Sequence, residues 1–329
     1  MLGTFSLVVV FAAVAVAVAV AADTVGCTVG VQDGTHNTTT VDLEAKEVPA
    51  RRQTMLPIQC AANGAAYSYN KNSYNGPYRW SQLSMCCGGS WQSPVNIRSA
   101  QTSCFKSFRV KYSLFPSGSL QGQLYNSGGH TASMEFSISK PLTLTGVPHS
   151  SDSTYILSKL HYHVGNLPNT GSEHLVDGRG YDAELHLVHY NAKYGSMDGA
   201  SGMPDGLAVI AVFLLEGSLS PNTDLNNFIS AVSRLRGIGN KIPTRIDPRK
   251  LLPLSGDFFT YQGSLTTPPC SESVRWIVMK APLMTTRDNV RLLQMLPTAE
   301  GVPVAVHTNV RPPQPLKTRI LEANFPCLG

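Results

Sequence analysis

The chain has 329 residues, of which 42% are hydrophobic, enough to build one large domain or two smaller ones. Lys and Arg number 26 against 21 Asp and Glu, and the sequence has no basic stripe interleaved with aromatic residues. This composition argues against nucleic-acid binding.

The N-terminus begins with an apolar run that ends at Ala22 and is followed by Asp23. Ala19-Val20-Ala21 fits the small-x-small pattern of a cleavage site, so we expect residues 1–22 to be a signal peptide. An uncleaved signal anchor is the alternative, although the run is slightly short for a span of about 20 residues. No other stretch is a candidate span, and the C-terminus lacks the tail of a GPI signal, so no stable membrane anchor is expected.

Residues 23–60 are polar and Thr-rich, which predicts an N-terminal arm or linker. Within this arm Asn37 begins an N-glycosylation motif. In an exported protein the cysteines indicate disulfides, and their odd number leaves one thiol free or paired between chains. The expected compartment is extracellular, periplasmic or a plastid lumen. The seven cysteines are Cys27, Cys60, Cys86, Cys87, Cys104, Cys270 and Cys327.

The residue pattern of positions 61–325 predicts one predominantly β domain. Short segments rich in Val, Ile, Tyr, Phe and Leu are bounded by Gly, Pro, Asn and Ser, and several alternate polar with apolar residues. Two helices are predicted at residues 225–235, capped by Thr223 or Asp224, and at residues 287–296. Strands are predicted at residues 108–114, 120–125, 133–137, 155–164, 183–191 and 207–215.

A His-x-His pair lies in one of these strands. Because side chains alternate along a strand, His161 and His163 share one face. His186 can complete a set of three imidazoles if its strand lies alongside, and three imidazoles with an open position form a catalytic zinc site. Glu184, two residues before His186, can accept the proton of that ring. An isolated His-x-His also occurs by chance on surface strands, and Glu173, between the two strands, is either an ordinary loop acid or a carboxylate that orients a hydroxyl near the metal.

A series of motifs runs along the chain from about Tyr67 to Arg319. The motifs are Gln92-Ser93-Pro94-Val95-Asn96-Ile97, Gly129-His130 with Glu135-Phe136, Leu160-His161-Tyr162-His163, Gly171-Ser172-Glu173-His174, Ala183-Glu184-Leu185-His186-Leu187-Val188-His189, Pro204-Asp205-Gly206-Leu207-Ala208-Val209, Tyr261-Gln262-Gly263-Ser264-Leu265-Thr266-Thr267-Pro268-Pro269-Cys270 and Asn309-Val310-Arg311-Pro312. In their order and spacing these motifs resemble the α-class carbonic anhydrases.

The resemblance implies an α+β fold with a large, mostly antiparallel twisted central sheet and short peripheral helices. It implies Zn2+ as cofactor, CO2 and bicarbonate as substrates, and inhibition by sulfonamides. The residues matched to roles are His161, His163 and His186 as zinc ligands; Glu184 as the acid that orients the third ligand; Thr266 as a gatekeeper hydroxyl bonded to Glu173; Val188, Val209, Leu265, Val274 and Trp276 as the apolar CO2 wall; Thr267 and Tyr69 as polar groups on the water chain; and His130 as proton shuttle.

These roles follow a simple chemistry. In carbonic anhydrases zinc lowers the pKa of bound water to about 7, so hydroxide is available near neutral pH. An apolar wall can place CO2 beside this nucleophile, and a histidine with a pKa near 6.5 suits the removal of the proton. The alternative for His130 is a surface histidine in a Gly-rich turn.

The sequence departs from the family pattern near the first ligand. Lys159 stands where the family commonly has Gln, two residues before His161, and Lys has only donors to offer that ring. We therefore expect a weaker zinc site that still works. Val164 and Tyr67 occupy positions where Trp is usual. His189 is expected to be a hydrogen-bonded core histidine and not a ligand.

For the cysteines, the resemblance implies that Cys270 forms a disulfide with Cys86 or Cys87, and the count back from Gln92 favours Cys87. Cys60 with Cys104 is then a further candidate pair. The alternative to an enzyme is a non-catalytic carbonic-anhydrase-like domain that serves for binding or as a scaffold.

Overall fold

A computed structural model of the chain describes residue 60 and residues 66–104, 106–137, 139–298 and 301–327, all within one unit, Leu56–Gly329. The expected signal peptide, Asn37, Cys27 and all of the arm except Cys60 lie outside the described residues. Within the described ranges, no helix has the length and apolar character needed to cross a membrane.

The described residues form short helices and many strands. The α-helices are α1 (Trp80–Leu83), α2 (Met197–Ser201), α3 (Thr223–Val232) and α4 (Arg287–Gln294); 3-10 helices lie at Pro77–Arg79, Met85–Gly88, Ser99–Gln101, Ala192–Tyr194, Pro248–Leu251 and Val304–Val306. The strands are β1 (Asn96–Ile97), β2 (Lys111–Tyr112), β3 (Leu120–Ser127), β4 (Thr131–Phe136), β5 (Thr143–Thr145), β6 (Tyr155–Val164), β7 (Leu175–Val176), β8 (Ala183–Asn191), β9 (Leu207–Gly217), β10 (Lys241–Ile246), β11 (Phe258–Gly263), β12 (Val274–Met279), β13 (Leu283–Thr286) and β14 (Glu322–Ala323).

One sheet of twelve strands organises the domain. Its main path runs β10-β3-β4-β6-β8-β9-β12-β11-β14, while β13 pairs with β9 and β5 joins β2 to β6. Most pairs are antiparallel, but β9 runs parallel to β12 and to β13. A separate parallel pair links β1 and β7. The predicted fold class, a large and mostly antiparallel sheet with short helices outside it, is confirmed.

The centre of the sheet is covered on both faces. Every residue of β8 is buried. Because side chains alternate, Leu185 and Leu187 point into the larger apolar core with Phe228 of α3. His186 and Val188 point to the opposite face, where a second apolar cluster surrounds the candidate site. A strand buried on both faces holds its polar side chains rigidly, which is the setting that a metal ligand needs.

The helix α3 follows the predicted periodicity but begins earlier than expected. Its buried residues Leu225, Phe228 and Ile229 recur with helical spacing. The N-cap is Asn222, whose side chain accepts from the Leu225 N–H at 3.0 Å. The prediction of Thr223 or Asp224 as cap is therefore wrong, because both residues already lie inside the first turn. Helix α4 begins at the predicted Arg287 and is capped by Thr286.

Three disulfides join the described cysteines, namely Cys60–Cys86, Cys87–Cys270 and Cys104–Cys327. The Cys87–Cys270 pair confirms the expectation. The pairing of Cys60 with Cys104 is wrong, because a bridge between Ser103 and Glu322 holds the C-terminal segment beside Cys104. These three pairs use all six of the described cysteines.

Candidate active site

Two neighbouring antiparallel strands bring three histidine rings together. His161 of β6 and His186 of β8 are directly opposed, and His163 lies two residues further along the same face of β6. Nε2 of His161 lies 3.3 Å from Nδ1 of His186, and Nε2 of His163 lies 3.1 Å from that same atom. The three predicted ligands therefore converge on one point.

In two of these rings, the nitrogen that points away from the other histidines donates a hydrogen bond. Nδ1 of His163 donates to the backbone carbonyl of Asn309 at 2.6 Å, and Nε2 of His186 donates to Oε1 of Glu184 at 2.7 Å. A neutral imidazole has one N–H and one lone pair, so Nε2 of His163 and Nδ1 of His186 face each other as two acceptors. Their contact is not a hydrogen bond between the rings, whereas a shared cation satisfies both lone pairs.

The donor set fits Zn2+. Burial, followed by the neighbouring imidazoles, lowers the pKa of His161 well below its ordinary value. Burial and then His186 lower the pKa of His163 to about 3. The rings are therefore neutral and have lone pairs to give. Three imidazole nitrogens with a cavity in front of them are the ligands of catalytic zinc sites, which keep one position open.

A second group of metal-ligating side chains, His174, Glu184 and His186, also lies within 4.8 Å. Its atoms bond to one another, because Oε1 of Glu184 accepts from both Nδ1 of His174 and Nε2 of His186 at 2.7 Å. Nε2 of His174 is hydrogen-bonded to the Tyr261 hydroxyl at 2.7 Å. This group is a hydrogen-bonded support for His186 and not a second metal site.

Glu184 is the centre of this support. Its Oε2 accepts the backbone N–H groups of Glu173 and His174, each at 2.9 Å. Burial raises the pKa of Glu184, but His174 and His186 together lower it more, so that the pKa lies below its ordinary range and the group stays ionised. An ionised carboxylate with four donors fixes the tautomer of His186. The sequence reasoning assigned Glu184 correctly but gave no role to His174.

The His161 ring lacks such an acceptor. Its Nδ1 is buried and has no hydrogen-bond partner in the part of the chain that the structure describes. Lys159 lies on the same face and lines the same cavity, and burial lowers the pKa of its amine. Since Lys offers only donors, it leaves the His161 N–H unsatisfied, as expected from the sequence.

Thr266 and Thr267 lie in the loop between β11 and β12. The Cys87–Cys270 disulfide ties this loop to the N-terminal part of the domain, and the Cys270 N–H donates to the Thr267 carbonyl at 2.8 Å. The loop is thereby fixed over the histidine rings, with both threonines in the wall of the same cavity.

Glu173 is fully buried behind this loop. Its Oε1 accepts the Arg311 N–H at 2.9 Å, and its Oε2 lies 3.4 Å from Nε2 of His163. Burial raises the pKa of Glu173 well above its ordinary value, and its interaction with the Thr266 hydroxyl acts in the opposite direction. Thr266 and Glu173 therefore lie near each other beside the histidines, and Oε2 of Glu173 has no hydrogen-bond partner among the described residues.

A cavity of about 280 Å³ opens in front of the three rings. Val274 is not among its lining residues and packs with Val209 and Trp276 in the cluster behind the wall. The predicted wall is otherwise assembled, and the register explains how, since Val209 of β9 pairs with both Val188 and Trp276. Tyr67, Met197 and Lys159 also line the cavity, although none of them was predicted to do so. The predicted residues that line it are His161, His163, His186, Val188, Val209, Leu265, Thr266, Thr267, Trp276, Tyr69 and His130.

His130 follows a tight turn at the cavity rim. Gly128 and Gly129 adopt φ values of 63° and 77°, which glycine accommodates readily, and Gly129 donates to the Asn126 side chain at 2.8 Å. The side-chain amide of Asn309 donates to the backbone carbonyl of His130 at 2.9 Å. The backbone carbonyl of Asn309 accepts from the His163 ring. Asn309 thus joins the rim to the His163 ring, and the sequence analysis named this residue only within the Asn309-Val310-Arg311-Pro312 motif.

His189 confirms its expected structural role. It is fully buried, with Nδ1 3.1 Å from the Ala208 carbonyl and Nε2 2.8 Å from the Tyr112 hydroxyl. It lies three residues after His186 on β8, so the alternation of side chains turns it to the opposite face of the sheet, away from the three rings.

An antiparallel sheet that presents three imidazoles and an open coordination side to a cavity defines a class of protein, the metalloenzymes with a three-histidine centre. The family model for eukaryotic-type carbonic anhydrase matches residues 75–325. The chain belongs to this family. It is thus an enzyme of the carbonic anhydrase (carbonate dehydratase) type, and the family is zinc-dependent.

Curated relatives show the same similarity over nearly their whole length. The chain is 37% identical to carbonic anhydrase 3 of Equus caballus over 77% of this chain and 96% of that protein. It is 38% identical to carbonic anhydrase 7 of Homo sapiens, over 76% and 95% respectively. It is also 38% identical to carbonic anhydrase 1 of Mus musculus, over 79% and 100%.

Proposed function

We propose that this chain catalyses the reversible hydration of CO2 to bicarbonate and a proton, with Zn2+ held by His161, His163 and His186. The observation that carries the proposal is the convergence of their three ring nitrogens. Two of these nitrogens are lone-pair acceptors 3.1 Å apart, so the geometry calls for a cation.

When bound at such a site, Zn2+ makes hydroxide available near neutral pH, as is established for carbonic anhydrases. The chain's own residues then orient the reaction. Thr266 directs its proton toward Glu173, which leaves a hydroxyl lone pair to accept from the attacking oxygen. Glu184 holds His186 in the tautomer that presents Nδ1 to the centre.

The substrate binds against the apolar side of the cavity. Val188, Val209 and Trp276 form a continuous wall across three strands, and Leu265 closes it from the loop. CO2 is small and apolar, so such a wall holds it near the nucleophile without strong binding. The bicarbonate product is charged, and the same wall favours its departure.

Proton removal falls to His130. It lies at the rim of the same cavity as the ligands, and an imidazole has a pKa near that of the donor it must serve. Thr267 and Tyr69 line the same cavity and supply hydroxyl groups that can hold ordered water.

We propose in addition that the enzyme is exported. Three intrachain disulfides fit an oxidising compartment, either extracellular, periplasmic or in a plastid lumen, and they agree with residues 1–22 as a signal peptide and Asn37 as a glycan site. The Cys27 thiol is then available for a disulfide with a second chain. Secretion, glycan mass and a non-reducing gel of the full chain test these three points separately.

A zinc assay combined with stopped-flow CO2 hydration, with and without a sulfonamide, tests the proposal. We expect about one zinc per chain and sulfonamide-sensitive activity. Protein that is folded but zinc-free and inactive would instead support the non-catalytic scaffold. No contact among the described residues specifically favours that alternative.

A further inference from the structure

Two large apolar side chains are exposed next to each other in the loop between β2 and β3, residues 113–119. Leu114 and Phe115, which we call the apolar tip, expose 81% and 77% of their surface. Single exposed apolar residues are common on proteins, whereas adjacent ones that protrude together form a contact surface. The described residues leave this tip uncovered.

The loop is held rigidly by one side chain. The Arg249 guanidinium donates to the backbone carbonyls of Leu114, Pro116 and Gly118 at 3.2, 3.1 and 3.1 Å. Asp247 fixes the guanidinium in turn, accepting from its Nε at 2.8 Å and from its Nη2 at 3.0 Å. A loop that is already ordered loses little conformational entropy when its tip becomes buried in a contact.

Three exposed cations flank the loop. Lys111 precedes it on β2, and Lys140 lines a groove of about 630 Å³ together with Pro116. Nη2 of Arg245 donates to the Ser119 carbonyl at 3.2 Å. The flanking cations, Lys111, Lys140 and Arg245, are all exposed, and none forms an ion pair with another described residue.

The acidic side chains nearby do not offset this charge. Asp247 is buried and paired with Arg249. Glu135 lines the same groove, but it lies opposite Gln123, further along β3 than the loop, and accepts from the Tyr125 hydroxyl at 2.6 Å. The loop therefore presents an apolar tip between positive charges that are not neutralised within the chain.

We propose that the 113–119 loop docks this protein on a bilayer with anionic headgroups: the apolar tip inserts among the lipids, and the flanking cations bind the headgroups. Burial of apolar surface and attraction to anionic lipid add together in peripheral membrane binding, and each alone gives only weak binding. A protruding tip favours a fluid bilayer, which closes around it, over a folded partner, which needs a matching pocket.

Docking at this loop leaves the active site accessible. β3 leads from the loop to the turn that carries His130 at the cavity rim, and a strand of eight residues spans about 27 Å. The rim therefore lies well away from the docked end. A docked chain would act where CO2, a small apolar molecule, leaves the bilayer; that consequence, unlike the docking itself, rests on the proposed function.

Sedimentation with vesicles tests the apolar tip. The chain without residues 1–22, the form expected after signal cleavage, is used because the apolar N-terminal run would itself bind lipid. We expect it to bind vesicles of phosphatidylcholine and phosphatidylglycerol in equal parts, and to bind pure phosphatidylcholine at least about tenfold more weakly. Replacing both residues of the tip, Leu114→Ser with Phe115→Ser, should weaken binding to the mixed vesicles by about tenfold or more.

The matched control for the tip is Ile320→Ser. Ile320 is 69% exposed and lies just before β14, at the opposite edge of the sheet from β3 and β10. This variant should bind the mixed vesicles as the parent does. Circular dichroism shows that each variant is folded, without reference to CO2 hydration.

Charge reversal tests the flanking cations. Lys140→Glu should weaken binding to the mixed vesicles by at least about fivefold, and added salt should weaken the binding of the parent. Lys317→Glu, at an exposed lysine near Ile320, changes the net charge equally and should bind as the parent does.

Three results would overturn the proposal. The first is a parent chain that does not bind the mixed vesicles, or that binds pure phosphatidylcholine equally well. The second is an equal loss of binding in the variants and in their controls, or no loss in either. The third is a dimer, seen by gel filtration without lipid, that the double Ser variant converts to monomers, because the tip would then contact a second copy of the chain.

Discussion

Lys159 lies two residues before His161 on the same face of β6, and the Nδ1 of His161 that would need an acceptor there has none among the described residues. The other two rings have such acceptors in Asn309 and Glu184. The three-histidine site is therefore asymmetric, because one ring lacks the acceptor that orients each of the other two. This asymmetry leads to the first prediction.

Replacing Lys159 with Gln should strengthen zinc binding. The Gln carbonyl can accept the Nδ1–H of His161, which orients the ring and increases the basicity of Nε2. We expect zinc affinity, measured by competition with a chelator, to rise by about tenfold. Lys159→Met removes the charge without adding an acceptor and should gain less than Gln. Equal affinities of the parent and Lys159→Gln would sink the idea.

Replacing Glu184 with Gln should weaken zinc binding. An amide cannot accept all four donors that the carboxylate accepts, so the His186 ring loses its fixed tautomer. We expect affinity for zinc to fall by a factor of about 10 to 100. Glu216→Gln, at a partly exposed carboxylate paired with Arg287, serves as control and should bind zinc as the parent does. A Glu184→Gln variant with parental affinity would contradict the assigned role.

Removing the Cys87–Cys270 disulfide should cost both stability and activity. The bond closes a long loop and fixes the segment that carries Thr266 and Thr267, so we expect a loss of about 4 kcal/mol in the free energy of unfolding and a clear drop in kcat. The Cys104–Cys327 disulfide closes a loop of similar length but does not anchor that segment. Its double Ser variant should lose similar stability and keep its activity. Equal activity of the two double variants would refute the anchoring role.

His189 should make the protein less stable in acid. Burial lowers its pKa from 6.5 to about 4, so the unfolded chain binds a proton more readily than the folded one between these values. Its contribution to stability is complete above about pH 6.5 and declines as the pH falls to about 4, by roughly 3 kcal/mol in total.

His189→Gln keeps a donor for the Ala208 carbonyl and an acceptor for the Tyr112 hydroxyl but does not titrate. Unfolding by denaturant at several pH values, with zinc removed from both proteins, compares the two. We expect the parent to lose more stability than the variant on acidification. Parallel profiles would show that His189 does not titrate as its burial indicates.

The central strands and the shared face of His161 and His163 could be predicted because their signals are local. The bounds of β6 and β8 were predicted correctly from alternation and turn residues, and the period of two placed His161 and His163 on one face. The resemblance implied that His186 joins the other two histidines, and the register that opposes it to His161 is found only in the sheet.

What could not be predicted depends on contacts between distant segments. Cys104 finds Cys327 because the C-terminal segment returns beside it, and no spacing rule encodes that return. The acceptor for His163 is a backbone carbonyl, that of Asn309, and any residue type can supply a carbonyl. The segment predicted as a strand at residues 108–114 pairs only at Lys111–Tyr112, because its partner β5 is short.

The most direct test of the metal centre is His161→Ala, with zinc content and CO2 hydration measured on the same purified protein. His163 and His186 alone leave two imidazoles, too few for a stable zinc site, so we expect zinc well below one per chain and hydration at the uncatalysed rate. Circular dichroism verifies that the variant is folded. A folded His161→Ala protein that keeps its zinc and its parental CO2 hydration would contradict the proposed function.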